Sequence, residues 1–178
     1  MTAIMSDNEN ELLPIVDTEG NVIGSAVRSE CHNGSMILHP VVHLHLFNSK
    51  GELFLQHRPS WKKIQPNKWD TAMGGHIGYG EDITTALERE TFEELGLTGL
   101  KYQQILNYKF QSTIEAEFVY SYIAVSDAPV LPSNETNGGK FWSISEIESN
   151  LGKGVFTPNF EQEFYMLIKH GLILFIVL

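Results

Sequence analysis

Residues 75–97 read GHIGYGEDITTALERETFEELGL, and this stretch decides how the rest of the chain is understood. From Asp82 to Leu95 the pattern is helical, with Asp82 suited to the N-cap and Gly96 to the C′ position. On a helix turning about 100° per residue, Glu90, Glu93 and Glu94 fall within an arc of about 100°. Like charges three and four residues apart repel by a few tenths of a kcal/mol per pair. These acids also sit in the last turns, at the negative end of the helix dipole. Ile83 and Leu87 project along the same stripe, so this is not a face left to solvent. Three unfavourable placements together call for a compensating cation. Mg²⁺ suits them, because it prefers carboxylate oxygens and substrate phosphates. The competing reading is a solvated acidic face, and the placement of the acids argues against it. Gly74, Gly75, Gly78 and Gly80 precede the helix and permit a loop whose backbone approaches a ligand closely.

Gly75, Glu81, Arg89-Glu90, Glu93-Glu94, Gly96 and Leu97 also stand at the spacings of a known signature. The segment resembles the Nudix box: Gly, five residues, Glu, seven residues, Arg-Glu, an aliphatic, any residue, Glu-Glu, any residue, Gly and an aliphatic. The departure is Thr91, where the pattern has an aliphatic. Thr91 would face the interior, so the change bears on packing rather than on catalysis. The resemblance implies an α/β fold of the Nudix type, an α/β/α sandwich with a mixed β-sheet and the box as loop–helix–loop. It also implies that Glu90, Glu93 and Glu94 hold a divalent metal, Mg²⁺ or Mn²⁺, and that Arg89 orients them by ion pairing.

Outward from the box, Arg58, Lys62-Lys63, Pro66 and Trp69 are similar to a stretch of type I isopentenyl-diphosphate isomerase, a Nudix-fold enzyme. That resemblance implies that Arg58, Lys62 and Lys63 bind a diphosphate, with Trp69 beside them and the backbone of Gly74 and Gly75 on the substrate side. Arg offers a planar fork for phosphate oxygens and Lys a point charge. A solvated basic loop is the alternative, less attractive because these residues and Lys68 cluster beside the acidic helix. Trp61, Trp69 and Tyr79 are candidates to stack on a base or prenyl group, against their commoner use in packing.

The isomerase builds a metal site from three His and two Glu. Its motifs are matched here by His32 and His39 with six residues between them, by Gly75-His76, and by Glu115-Ala116-Glu117. On a strand Glu115 and Glu117 face the same way. His43 and His45 share a face too and are read as strand packing or surface residues. Where the isomerase carries its catalytic Cys, this chain has Gly74, and its box keeps all its acids. Both departures favour a hydrolase. The resemblance to this isomerase-like branch covers about residues 13–125.

The remaining sequence sets bounds. At 178 residues the chain fits one domain, residues 1–178. Acids number 22 against 12 basic residues, a net charge of −10 that excludes a non-specific nucleic-acid binder. Cys31 is the only cysteine, which fits a reducing cytoplasm. The first ten residues lack the features of a secretory signal. The apolar run 171–178 is far shorter than the roughly 20 residues that span a bilayer. Its end, residues 172–178 (LILFIVL), is expected to be buried as an added strand or in a homodimer contact. Residues 12–27 read as two short strands turning at Glu19-Gly20-Asn21, and 41–56 as a second hairpin. Residues 58–70 and 126–140 read as loops, 101–110 and 114–125 as strands. A short helix lies around Glu146, and a last one runs from Thr157-Pro158 to Gly171.

The resulting expectation is a metal-dependent diphosphohydrolase acting on a nucleoside diphosphate linked to some group X, or on a similar organic diphosphate. Arg89 and the box acids are its machinery, and Glu90, Glu94 or Glu117 is the general base. The alternatives are an isopentenyl-diphosphate isomerase and a non-catalytic nucleotide-binding module.

Overall fold

The computed structural model describes residues 8–62, 64–131 and 136–171. Strands β1 (Leu12–Val16) and β2 (Val22–Val27) form a separate two-stranded sheet, turning where Gly20 takes φ 86°. A single helical turn, α1 (Arg28–Cys31), leads into the ten-residue strand β3 (Leu38–Phe47). There follow β4 (Leu53–His57), β5 (Trp69–Asp70), β6 (Met73–His76), helix α2 (Ile83–Leu95), β7 (Gln103–Gln111), β8 (Ala116–Val125) and β9 (Gly139–Trp142). Helices α3 (Ile144–Asn150) and α4 (Pro158–Lys169) close the chain.

Strand β3 is the axis. One edge pairs in parallel with β8 along its whole length, Leu38 opposite Ala116 to Phe47 opposite Val125. The other edge is shared. The expected β3–β4 hairpin forms, but the two strands are in register only at Phe47 and Leu53. Beyond that pair β4 leaves to bond β9 and β5, and β6 takes its place against Val41–Leu44. The sheet is therefore mixed and splits between β4 and β6.

Alternate residues of β3 face opposite sides. Val42, Leu44 and Leu46 pack with Ala86, Leu87 and Leu95 of α2. On the other side Phe47 packs with Phe160, Phe164 and Leu167 of α4 and Ile147 of α3. Helices on both faces of a mixed sheet give the expected α/β/α sandwich. α2 begins at Asp82, whose side chain accepts from the Thr85 N–H at 3.0 Å, and ends at Gly96 with φ 67°. Thr91 is fully buried.

Two readings from sequence change. Residues 73–76, read as a glycine-rich loop, are strand β6, and the supposed loops at 58–70 and 126–140 each contribute to short strands, β5 and β9. The run 172–178 and Lys63 lie outside the described residues.

Candidate active site

Arg89 is the hub of the acidic helix. Its Nε and Nη2 donate to the two oxygens of Glu81 at 2.8 and 2.9 Å. Nη1 donates to Glu90 at 2.7 Å and to Glu93 at 3.2 Å, while Nη2 also reaches the His76 carbonyl at 3.1 Å. One guanidinium thus ties the loop before the helix and the end of β6 to two of the acids. The hydrogen bonds from Arg89 hold the Glu81 carboxyl below its usual range. Glu94 is buried and turns toward β4, where Gln56 Nε2 donates to it at 3.2 Å. Gly75 explains the glycine of the box: a Cβ there would collide with the Glu90 carboxylate, so only glycine lets that side chain lie against β6.

A second group gathers around the start of β3. His32 Nδ1 lies 2.8 Å from the Arg28 carbonyl and His39 Nδ1 lies 3.0 Å from the Ile37 carbonyl. Carbonyls only accept, so both rings carry a proton on Nδ1 and turn Nε2 toward the cluster. His32 Nε2 stands 3.3 Å from Glu115 and 3.2 Å from His76 Nε2. One ligating nitrogen from each of His32, His39 and His76 falls within 4.8 Å of the others. His39 Nε2 is buried and has no hydrogen-bond partner among the described residues. Burial lowers the pKa of His39 to about 4 and holds that of His76 well below its ordinary value. Burial raises Glu115, and burial together with the Glu115 charge pushes Glu117 up to about 7. Three imidazoles, one with a buried unpartnered Nε2, beside two buried carboxyls are a donor set that fits a divalent cation.

Both groups open on one cavity of 1180 Å³, which Arg58, Lys62, Gly74, Gly75, Glu90, Glu93, Glu94 and Glu117 also line. It lies where the sheet splits.

Residues 37–160 match the NUDIX domain. An uncharacterized Nudix hydrolase of Listeria monocytogenes is 34% identical over 128 residues, 69% of this chain and 74% of that protein. The chain belongs to the Nudix hydrolase family. An isopentenyl-diphosphate Delta-isomerase of Serratia proteamaculans is 29% identical over 168 residues, 92% of each chain. The crystal structure of DR0079 from Deinococcus radiodurans superposes with a TM-score of 0.71 at 26% identity, covering 83% of this chain and 92% of that one. The family acts on small molecules and generally uses divalent metals. Among the described residues no helix is long and apolar enough to cross a membrane.

Around this cavity most of the residues singled out from sequence come together. Arg58 is anchored, donating to the Ile64 carbonyl at 2.9 and 3.2 Å and to Asp70 at 3.1 Å. Lys62 lies 4.9 Å from the centre of the Trp61 ring, which is half exposed at the cavity. Trp69 stands apart: it packs 5.2 Å from Trp142, away from the cavity lining.

His43 and His45 do more than pack. His43 Nδ1 donates to Glu163 Oε2 at 2.7 Å, and Tyr108 donates to the same oxygen at 3.0 Å. His45 Nε2 lies 2.9 Å from Glu163 Oε1. Glu163 is 0% exposed. It shares the buried stripe of α4 with Phe160, Phe164 and Leu167, and an acid on an apolar stripe was the available sign of a buried partner.

Burial alone would lower the pKa of His43, but the Glu163 carboxylate overrides it and raises the value to about 9. The pair therefore stabilises the fold fully below the ordinary histidine pKa of about 6.5, and this contribution disappears as pH rises through about 9. Glu163 (α4), Glu117 (β8) and Asp70 (β5) raise this value against burial, and the Tyr108 hydroxyl (β7) shares Glu163 with the ring. Urea unfolding at pH 7 and at pH 9.5 should differ by on the order of 2 kcal/mol, and His43→Gln should flatten that interval.

Proposed function

We propose that the protein is a divalent-metal-dependent diphosphohydrolase that cleaves a nucleoside diphosphate linked to some group X, or a similar organic diphosphate. The observation that carries this reading is the convergence of box acids, imidazole cluster and basic side chains on one cavity. Glu90, Glu93 and Glu94 would hold Mg²⁺ or Mn²⁺, and His32, His39, His76, Glu115 and Glu117 a second cation. Bound metal supplies charge neutralisation on the diphosphate and a more acidic attacking water. Arg89 keeps Glu90 and Glu93 aimed. Glu94 is the proposed general base: it is buried at the cavity and its carboxylate accepts from the neutral Gln56 amide, whereas the Glu93 side chain is 50% exposed. Arg58 uses three of the five N–H donors of a guanidinium on Ile64 and Asp70, leaving two for phosphate oxygens.

The isomerase reading is weaker. Gly74 offers no thiol, and the Cys31 thiol is fully buried, with burial pushing its pKa up to about 11. The test is a screen of nucleoside diphosphate derivatives and isoprenoid diphosphates with Mg²⁺ or Mn²⁺, products identified. Hydrolysis supports the proposal, an allylic isomer from isopentenyl diphosphate replaces it, and tight binding without turnover at any metal points to the binding module. The second cation has its own readout. Co²⁺ bound through imidazole should give a visible absorption band that His39→Ala removes and Glu93→Gln leaves in place.

A further inference from the structure

His43 sits mid-strand in β3, between Ser121 of β8 and Gly74 of β6. A Cβ at Gly74 would meet His43 Cδ2 at 3.3 Å and Nε2 at 3.5 Å, so the Nε2 edge of the ring lies directly beneath that glycine. Both residues line the cavity. Behind the ring, Nδ1 is spent on Glu163, whose carboxylate also takes the Tyr108 hydroxyl and lies against the His45 ring. Tyr108 and the Glu117 carboxylate are in turn linked through Asn159, at 3.0 and 3.2 Å. The imidazole is thus fixed in orientation from the helix side. In front, among the described residues, no acceptor is bonded to Nε2. Arg89 is committed to the acids and Arg58 largely to Asp70 and Ile64. A ring backed by a buried carboxylate, with an uncommitted N–H at a cavity wall, is arranged to donate a charge-assisted hydrogen bond to an anion.

We propose that His43 is a substrate-binding residue whose Nε2–H donates to a phosphate oxygen of a diphosphate seated against Gly74, with Glu163 as its positioning residue. The proposal rests on the diphosphate reading above and adds a donor that the box and the basic loop do not supply. No proton is transferred. With its proton held to about pH 9, the ring neutralises charge on the phosphate throughout the cycle. Gly74 belongs to the same device, because any side chain there would cover the nitrogen.

The test uses the full chain labelled with ¹⁵N-histidine and methylenediphosphonate, a non-hydrolysable diphosphate, with Mg²⁺. Saturation should move the His43 Nε2 resonance in the unaltered protein, which requires no variant to fold. His43→Gln should raise the diphosphonate Kd at least tenfold while Mn²⁺ affinity stays within twofold. In Glu163→Gln the His43 signals should show a ring losing its second proton near neutrality, with Tyr108, Glu117 and Asp70 still facing it; packing alone would not produce this. An unmoved Nε2 resonance, absence of diphosphonate binding, or a His43→Gln Kd within twofold of the parent overturns the proposal. Turnover in the substrate screen with an unmoved resonance removes His43 and keeps the hydrolase. A moved resonance with no turnover does the reverse.

Discussion

Glu94→Gln is expected to lower kcat by about 10³-fold on whichever diphosphate the screen identifies, with KM changed far less. Gln preserves the size of the side chain and a contact with Gln56, so the buried wall between α2 and β4 stays packed. What it removes is the ability to take a proton and one carboxylate of the acid cluster. Glu93→Gln provides the comparison. Its side chain is half exposed and lies 3.2 Å from Arg89, so its loss should weaken metal binding and be partly recovered by raising Mg²⁺. A Glu94→Gln enzyme restored by metal alone would assign Glu94 to metal binding and move the base elsewhere, with Glu117 next in line.

The largest effect on stability is expected from Glu163→Gln. The substitution leaves His43 and His45 buried against a neutral amide. Removing one partner of a buried ion pair costs about 3–5 kcal/mol. The lower end applies here, because an imidazole can shed its proton where an ammonium or guanidinium would have to remain charged. Urea denaturation at pH 7 reads the loss directly. Since the parent protein gives up the same pairing energy as pH rises through about 9, the two proteins should converge in stability there. A gap that persists at pH 10 would mean that the side chain matters through packing against Phe160 and Phe164 rather than through charge.

Much of the site was legible because its chemistry is carried by local spacing. Arg89, Glu90, Glu93 and Glu94 share one helix, so their convergence follows from the helical repeat, and Asp82 and Gly96 mark its ends. The first hairpin was legible for the same reason, with its turn residues written between two short strands. Strand β6 was hidden because two consecutive glycines read as a loop. Only the long-range fact that Glu90 lies against Gly75, and His43 beneath Gly74, explains why glycines stand in a strand. The partnership of His43 with Glu163 spans 120 residues and depends on α4 covering the odd-numbered face of β3. No local pattern in the histidines announces it. Trp69 shows the opposite error: it follows the basic stretch in sequence, but in space its ring packs on Trp142 and His57.

The unbroken parallel ladder between β3 and β8 also makes the molecule a gauge. His39 and His43 point to one side of a strand and are four residues apart, which at about 3.3 Å per residue separates them by roughly 13 Å. Neither can drift relative to the other without a slip that would exchange the two faces of the strand. His39 is fully buried in the imidazole cluster and His43 stands at the cavity wall, so the ladder fixes how far apart those two places lie. Rigid backbone therefore sets the spacing of the two histidines, and substitutions in the loops at the cavity rim should leave that spacing unchanged.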